Sequence, residues 1–266
     1  MRSFRALLTA AWGRLDELLP LAAVPLVSTL LGVDKVRRIV AFDGFHLGVQ
    51  FNFPLPLVDL WTFVSLPTES GVHVSPSLSL LPVVVLVESA LTAGYLGGIH
   101  RYLRDGEYAF LADVRRYFLR FLGFNALVWG SVAVAGALAV QTMTPALLLV
   151  VGLVGFVLAY LFFGAPYLFV VADAGFVDGL ARSYSFARDE PAYTRYAVAY
   201  LLFVAVASVV TTAVVANLGL FGVAVGALVT APLSLALSVA TVAFVADLAN
   251  DERLLASDAT LGPPDG

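Results

Sequence analysis

The stretch LFGVAVGALVTAPLSLALSVATVAFVADL, residues 220–248, runs 29 residues with a single charge, Asp247, in its second-last position. A helix rises 1.5 Å per residue, so about 20 such residues cross the roughly 30 Å hydrocarbon core of a bilayer. A backbone there must satisfy its own polar groups, which selects helix. Outward from this run, five further apolar runs bounded by charge follow the same logic: Leu18 to Val33, Leu78 to Tyr102, Leu119 to Val140, Pro145 to Val171 and Tyr196 to Ala216. The expected fold is an all-α polytopic membrane protein with six transmembrane helices in one domain, residues 1–249, followed by a short acidic tail, 250–266. Pro20, Pro25, Pro82, Pro166 and Pro232 fall within these runs and predict kinks.

Composition agrees. Of 266 residues, 60% are hydrophobic and 13% charged, against roughly 45–50% and about 25% in soluble domains. The mean hydropathy is +0.92. Net charge is -4, so no global basic field argues for nucleic acid. Cysteine is absent, which excludes disulfides, thiolate metal sites and cysteine nucleophiles. Lys35 is the one lysine among 15 basic residues, and with the Ala, Val, Leu and Gly content this points to a GC-rich, halophilic prokaryotic source.

Arginine placement sets the expected orientation, because short loops rich in Arg and Lys stay cytoplasmic. Arg2, Arg5 and Arg14 precede the first span; Arg101, Arg104, Arg115, Arg116 and Arg120 lie between the second and third; Arg182, Arg188 and Arg195 lie between the fourth and fifth. Only Lys35, Arg37 and Arg38 fall on the other side. Both termini are therefore expected in the cytoplasm and the protein in the cytoplasmic membrane. Arg14, Asp16 and Glu17 interrupt the early apolar stretch, so the N-terminus reads as an anchor and not as a cleaved signal peptide.

Segments Arg2 to Leu15, Glu107 to Phe121 and Asp178 to Arg195 mix arginine with aromatic residues at helical spacing. In the middle one, Phe110, Val114, Tyr117, Phe118 and Phe121 share a face. Such segments are expected to lie in the membrane interface, with Arg115, Arg116, Arg120 and Arg182 as anchors near lipid headgroups.

The segment Asp34 to Ser77 is too long for a plain connector. Phe45 to Phe53 alternates apolar with polar or small residues, and Asp43-Gly44 separates it from Val36 to Phe42. That pattern predicts a small extracytoplasmic β-hairpin whose apolar face rests on the membrane surface, a partner, or the protein's own helices.

Ionisable residues deep in a span are functional candidates by default, and Glu88 in the second span is one. It couples proton movement, holds a cation or binds a substrate amine, or else it is protonated and hydrogen-bonded to a neighbouring helix. Gly222, Gly226, Thr230, Ser234 and Ser238 recur every four residues, a stripe suited to close helix packing, a homodimer face or a polar path. His46, His73 and His100 lie far apart without carboxylates at ligand spacing, so no metal is expected. No nucleophile elbow, zinc-binding histidine pair or phosphate loop occurs, and no cofactor is expected.

Ala93-Gly94-Tyr95, Tyr102 to Glu107, Pro166-Tyr167-Leu168, Asp173-Ala174-Gly175 and Leu180 to Tyr184 resemble a broad prokaryotic set of six-helix membrane proteins that includes the membrane domain of some glycerophosphodiester phosphodiesterases. The resemblance covers about Gly94 to Leu248 and implies the six-helix plan with Arg-Ser after the fourth helix. The phosphodiesterase catalytic domain has no counterpart in these 266 residues, so that activity is not carried over. The expectation is a non-catalytic envelope accessory or assembly factor, in contact with lipid and a protein partner or second copy; the alternative is a transporter or permease subunit with Glu88 as its polar site.

Overall fold

The computed structural model describes residues 2–67, 80–142 and 145–249. Among these residues it is all-α. The helices are α1 Phe4–Trp12, α2 Leu15–Leu18, α3 Ala23–Leu31, α4 Val33–Ala41, α5 Leu81–Asp105, α6 Phe110–Thr142, α7 Pro145–Phe162, α8 Ala165–Val171, α9 Phe176–Asp189, α10 Pro191–Asn217 and α11 Gly219–Leu248. Five spans are long and apolar enough to cross a membrane, with α7 and α8 sharing one of them. A sixth is broken: α2 and α3 continue into α4 only through a bend of 61°. Gly32 sits at the break, where an added Cβ would lie 2.5 Å from Trp61 Nε1. Pro82 and Pro166 start helices, where a missing N–H costs nothing, and Pro232 alone lies well inside one.

At one end of the bundle, here the terminal end, the Ser3 hydroxyl caps α1 by accepting from Ala6 N–H. α1 buries Leu7 and Ala11 and sets Phe4 edge-on to Tyr196 and Tyr200. Arg2 pairs with Asp247 at 2.8 Å. α11 is the hub, touching α1, α3, α4, α5, α8 and α10, and its lower half from Ser234 to Val245 is buried throughout.

The expected interfacial helix before the third span is instead the first part of α6, which runs 33 residues unbroken. Its aromatic face packs on protein: Tyr117 and Phe121 are buried, and Asp113, 1% exposed, is gripped by Arg101 of α5. α5 admits this because it presents glycine. A Cβ on Gly97 would lie 2.6 Å from Asp113 Cβ, and one on Gly94 would run into the Phe110 ring. Between Gly152 and Ala159, by contrast, α7 is exposed on every side.

The β-hairpin does not form. Val36 to Ala41 belongs to α4, because Ile39 fits helically into a cluster with Leu60, Trp61, Val64, Val215 and Val223. Gly44 still turns the chain, at φ 149°, and the residues after it form no helix or ladder. His46 and Gln50, four residues apart, bond Asn217 and Ser208, about 13 Å apart along α10, which is the reach of an extended chain. Their alternation survives with its faces exchanged. Phe45, Leu47, Val49 and Phe51 are exposed, while His46, Gln50 and Asn52 face the protein. The polar residues turn inward because their hydrogen-bond partners are there. The remainder of the expected insertion, 68–77, and the tail, 250–266, lie outside the described residues.

Candidate functional site

The extended segment descends along α10 from the end opposite the termini, here the loop end. Asn217 fixes its top: Oδ1 accepts His46 N–H and Nδ2 donates to His46 O, both at 2.9 Å. Ser208 Oγ accepts Gln50 N–H at 2.9 Å. Nine residues separate Ser208 from Asn217 along α10, a drop of about 13 Å. Lower still, Phe53 packs 4.7 Å from Phe156 and 5.7 Å from Tyr160, centroid to centroid. The chain turns at Pro54-Leu55-Pro56, where Leu55 O accepts the Tyr167 hydroxyl at 2.6 Å. The segment is thus re-entrant: it enters from the loop end and returns to it.

The return limb is bound as tightly. Asp59 caps a single 3-10 turn, Leu60–Thr62, in a reciprocal box with Thr62. Ser28 donates to Asp59 at 2.9 Å, Thr29 O accepts Trp61 Nε1–H at 3.0 Å, and Thr212 Oγ1 accepts Ser65 N–H at 2.9 Å. Side chains also tie the two limbs together. His46 reaches Ser65 O, Gln50 reaches Val64 O and Asn52 reaches Thr62 O. Arg38 closes the top by donating to Pro67 O at 2.7 Å.

Beside this loop lies a small ionisable cluster. Glu88 is seven residues into α5, about 10 Å from the helix start, in the half of the helix nearer the loop end. Its Oε2 accepts Trp129 Nε1–H at 2.8 Å, and one residue on, Ser89 accepts Asn125 Nδ2–H at 3.0 Å. Lys35 and Asp59 are both within electrostatic reach of Glu88. Lys35 Nζ stands 5.6 Å over the Trp61 ring. Asp59 also accepts the Trp61 N–H at 3.0 Å through its other carboxylate oxygen. Sequence reasoning placed Glu88 alone. It passed over Asp59, whose available signal was the Asp-x-x-Thr capping spacing at Asp59 to Thr62.

The stripe on α11 is spent inside the chain. A Cβ on Gly222 would meet Val214 O at 2.7 Å and Val215 O at 2.8 Å, and one on Gly226 would meet Val215 Cγ2 at 2.6 Å. Thr230 donates to Gly226 O. Ser234 and Ser238 are fully buried, as are Tyr95 and Tyr200, with the Ser238 hydroxyl beside that of Tyr95. Of the arginines, Arg116 and Arg120 converge on Asp173 at the terminal end, and Arg120 also donates to Phe169 O at 3.0 Å. Arg116 first, then Arg120, holds the half-exposed Asp173 carboxyl below its usual range. Arg115 is exposed and Arg182 half-buried on α9.

No group of three acidic, histidine or cysteine side chains suited to a metal occurs among the described residues. A shallow apolar groove lined by Ala126, Gly130, Val134 and Val151 opens between α6 and α7. The chain matches no family model, no curated protein and no solved structure in these comparisons.

Proposed function

We propose that this chain is a non-catalytic, multi-pass protein of the cytoplasmic membrane, with both termini cytoplasmic, that acts as an accessory or assembly factor of the cell envelope. One observation carries this reading. Polar side chains of the spanning helices, those of Asn217, Ser208, Thr212 and Thr29, accept backbone N–H groups of the re-entrant segment and so hold it in place. The segment so held presents Phe45, Leu47, Val49 and Phe51 outward, an apolar surface open to lipid and to another membrane polypeptide. The kinship with the six-helix prokaryotic set belongs to the same proposal.

Purification in mild detergent from native membranes, at the salt of the host, tests the role by mass spectrometry of stoichiometric companions. Envelope or secretion components are expected; recovery with an ATPase, or with no companion, counts against it. Orientation is tested with single cysteines in this cysteine-free chain. Asp43 and Ala112 are both exposed, at opposite ends. An impermeant maleimide applied to intact cells should label Asp43→Cys and spare Ala112→Cys.

The cluster of Asp59, Lys35 and Glu88 favours a second reading, a transporter or permease subunit with Glu88 as coupling or substrate site. Glu88→Gln keeps an acceptor for Trp129, so a loss of cellular function without loss of folding would support that reading, and unchanged function would retire it.

A further inference from the structure

In an extended chain the backbone groups of alternate residues point to opposite edges, and alternate side chains to opposite faces. The bonds of the 45–52 segment assign all four directions. The N–H groups of His46 and Gln50, and His46 O, point to α10. The side chains of His46, Gln50 and Asn52 point to the return limb. The side chains of Leu47, Val49 and Phe51 point outward, 55%, 44% and 57% exposed. The fourth direction is an edge formed by the backbone groups of Leu47, Val49 and Phe51, none of which makes a hydrogen bond among the described residues.

We propose that this edge is a docking strand for an extended, uncharged segment of another polypeptide in the same membrane. The inference deepens the accessory role and rests on it. Lipid tails offer nothing to an amide, so a strand edge facing hydrocarbon leaves each N–H and C=O without the partner it had in water. The row presents a donor and an acceptor every two residues, about 6.8 Å apart, a spacing that another extended backbone reproduces. No Asp, Glu, Lys or Arg lies between Asp43 and Asp59, so the edge favours a neutral partner with apolar side chains on its lipid face. A second copy is a poor fit. Copies inserted the same way are related by an axis along the membrane normal, which sets the edges parallel, and identical edges then demand each other's acceptors one residue out of register.

The test uses the full chain in lipid nanodiscs and a defined probe, a capped fluorescent heptapeptide of alternating valine and threonine. A twin N-methylated on every second residue lacks donors along one edge. The parent peptide should bind saturably and the N-methylated one at least ten-fold more weakly. Val49→Pro, which removes the central donor, should weaken binding at least ten-fold, while Val49→Ala leaves it within about two-fold. Equal binding of the two peptides, or no saturable binding to the unaltered chain, overturns the proposal. So does a drop in thermal stability for Val49→Pro but not Val49→Ala without peptide, since the edge would then be in use within the chain. A cellular companion that stays bound to Val49→Pro leaves the accessory role standing and refutes the edge.

Discussion

Replacing Gly222 by alanine should destabilise the protein, and replacing Gly130 by alanine should not. A Cβ on Gly222 would lie 2.7 Å from Val214 O, 2.8 Å from Val215 O and 2.9 Å from Val215 Cα. All three are backbone atoms of α10, so no side chain can swing aside. Restoring contacts of about 3.5 Å requires α10 and α11 to part by roughly 0.6–0.8 Å, a gap that forfeits a quarter to a half of each neighbouring dispersion contact. Overpacking of this kind costs about 1–3 kcal/mol, and alanine returns up to about 1 kcal/mol of helix propensity. The net loss is about 1–2 kcal/mol. Gly130 on α6 has nothing within 4 Å of the added carbon, so there only the propensity gain of up to about 1 kcal/mol applies. The propensity gain is common to both and cancels, so the two variants should differ by the overpacking cost of about 1–3 kcal/mol in reversible unfolding from dodecyl maltoside into sodium dodecyl sulfate, followed by fluorescence of the 3 tryptophans. Two variants that agree within about 0.5 kcal/mol would refute the close crossing of α10 and α11.

Other substitutions probe other joints. Asn217→Ala removes two bonds to His46; at about 0.6 kcal/mol each in a membrane, rising toward the cost of an unmet buried group, the loss is about 1–3 kcal/mol. A spin label at Leu47→Cys should become markedly more mobile in that background, and an unchanged spectrum would show that Asn217 does not hold the segment. Arg101→Gln strips its partner from Asp113, 1% exposed, and should cost about 3 kcal/mol, the low end for a broken buried pair because Arg101 is itself a quarter exposed. If it unfolds like the unaltered chain, the pair is not structural. Asp173 has a depressed carboxyl, so its contribution is full above the unfolded value of about 3.9 and fades as pH falls through the lower folded value. The difference in thermal stability between the unaltered chain and Asp173→Asn should hold steady from about pH 8 to 5 and shrink below about pH 4; a difference that grows on acidification contradicts the assignment.

Hydropathy made the spans legible because lipid acts on each residue of a helix independently of its neighbours in space. α5, α10 and α11 fall close to the apolar runs that predict them. What depends on pairing was not legible in the same way. Asp43-Gly44 signalled a turn, and a turn formed, but the strand expected before it is α4, since Ile39 gains more in the cluster around Trp61 than in a lipid-facing ladder. Alternation along 45–53 carried the right period and no information about which face turns inward. That choice was made by the carbonyls of Ser65, Val64 and Thr62, which meet the side chains of His46, Gln50 and Asn52 only once the return limb has folded back. Arginines near the membrane read as lipid anchors, yet Arg101, Arg116 and Arg120 are claimed by Asp113 and Asp173, and long-range ion pairs leave no local mark. Asp59 carries no mark of its partners in its own stretch of sequence; its meaning lies in Ser28 and Lys35, which reach it only after the first span bends.

The bond between His46 and Asn217 joins residues 171 apart in the chain, and that separation is also an interval of time. Ribosomes add roughly 5–20 residues per second, so the asparagine emerges about 10–30 s after the backbone it will hold. For that interval the segment has no helix to lean on. Its amides must stay hydrated, or be borrowed by other machinery, until α10 arrives. Final seating of the loop is therefore a late, post-insertion event, and a chain truncated before α10 should leave residues 45–67 reachable by protease from the loop side.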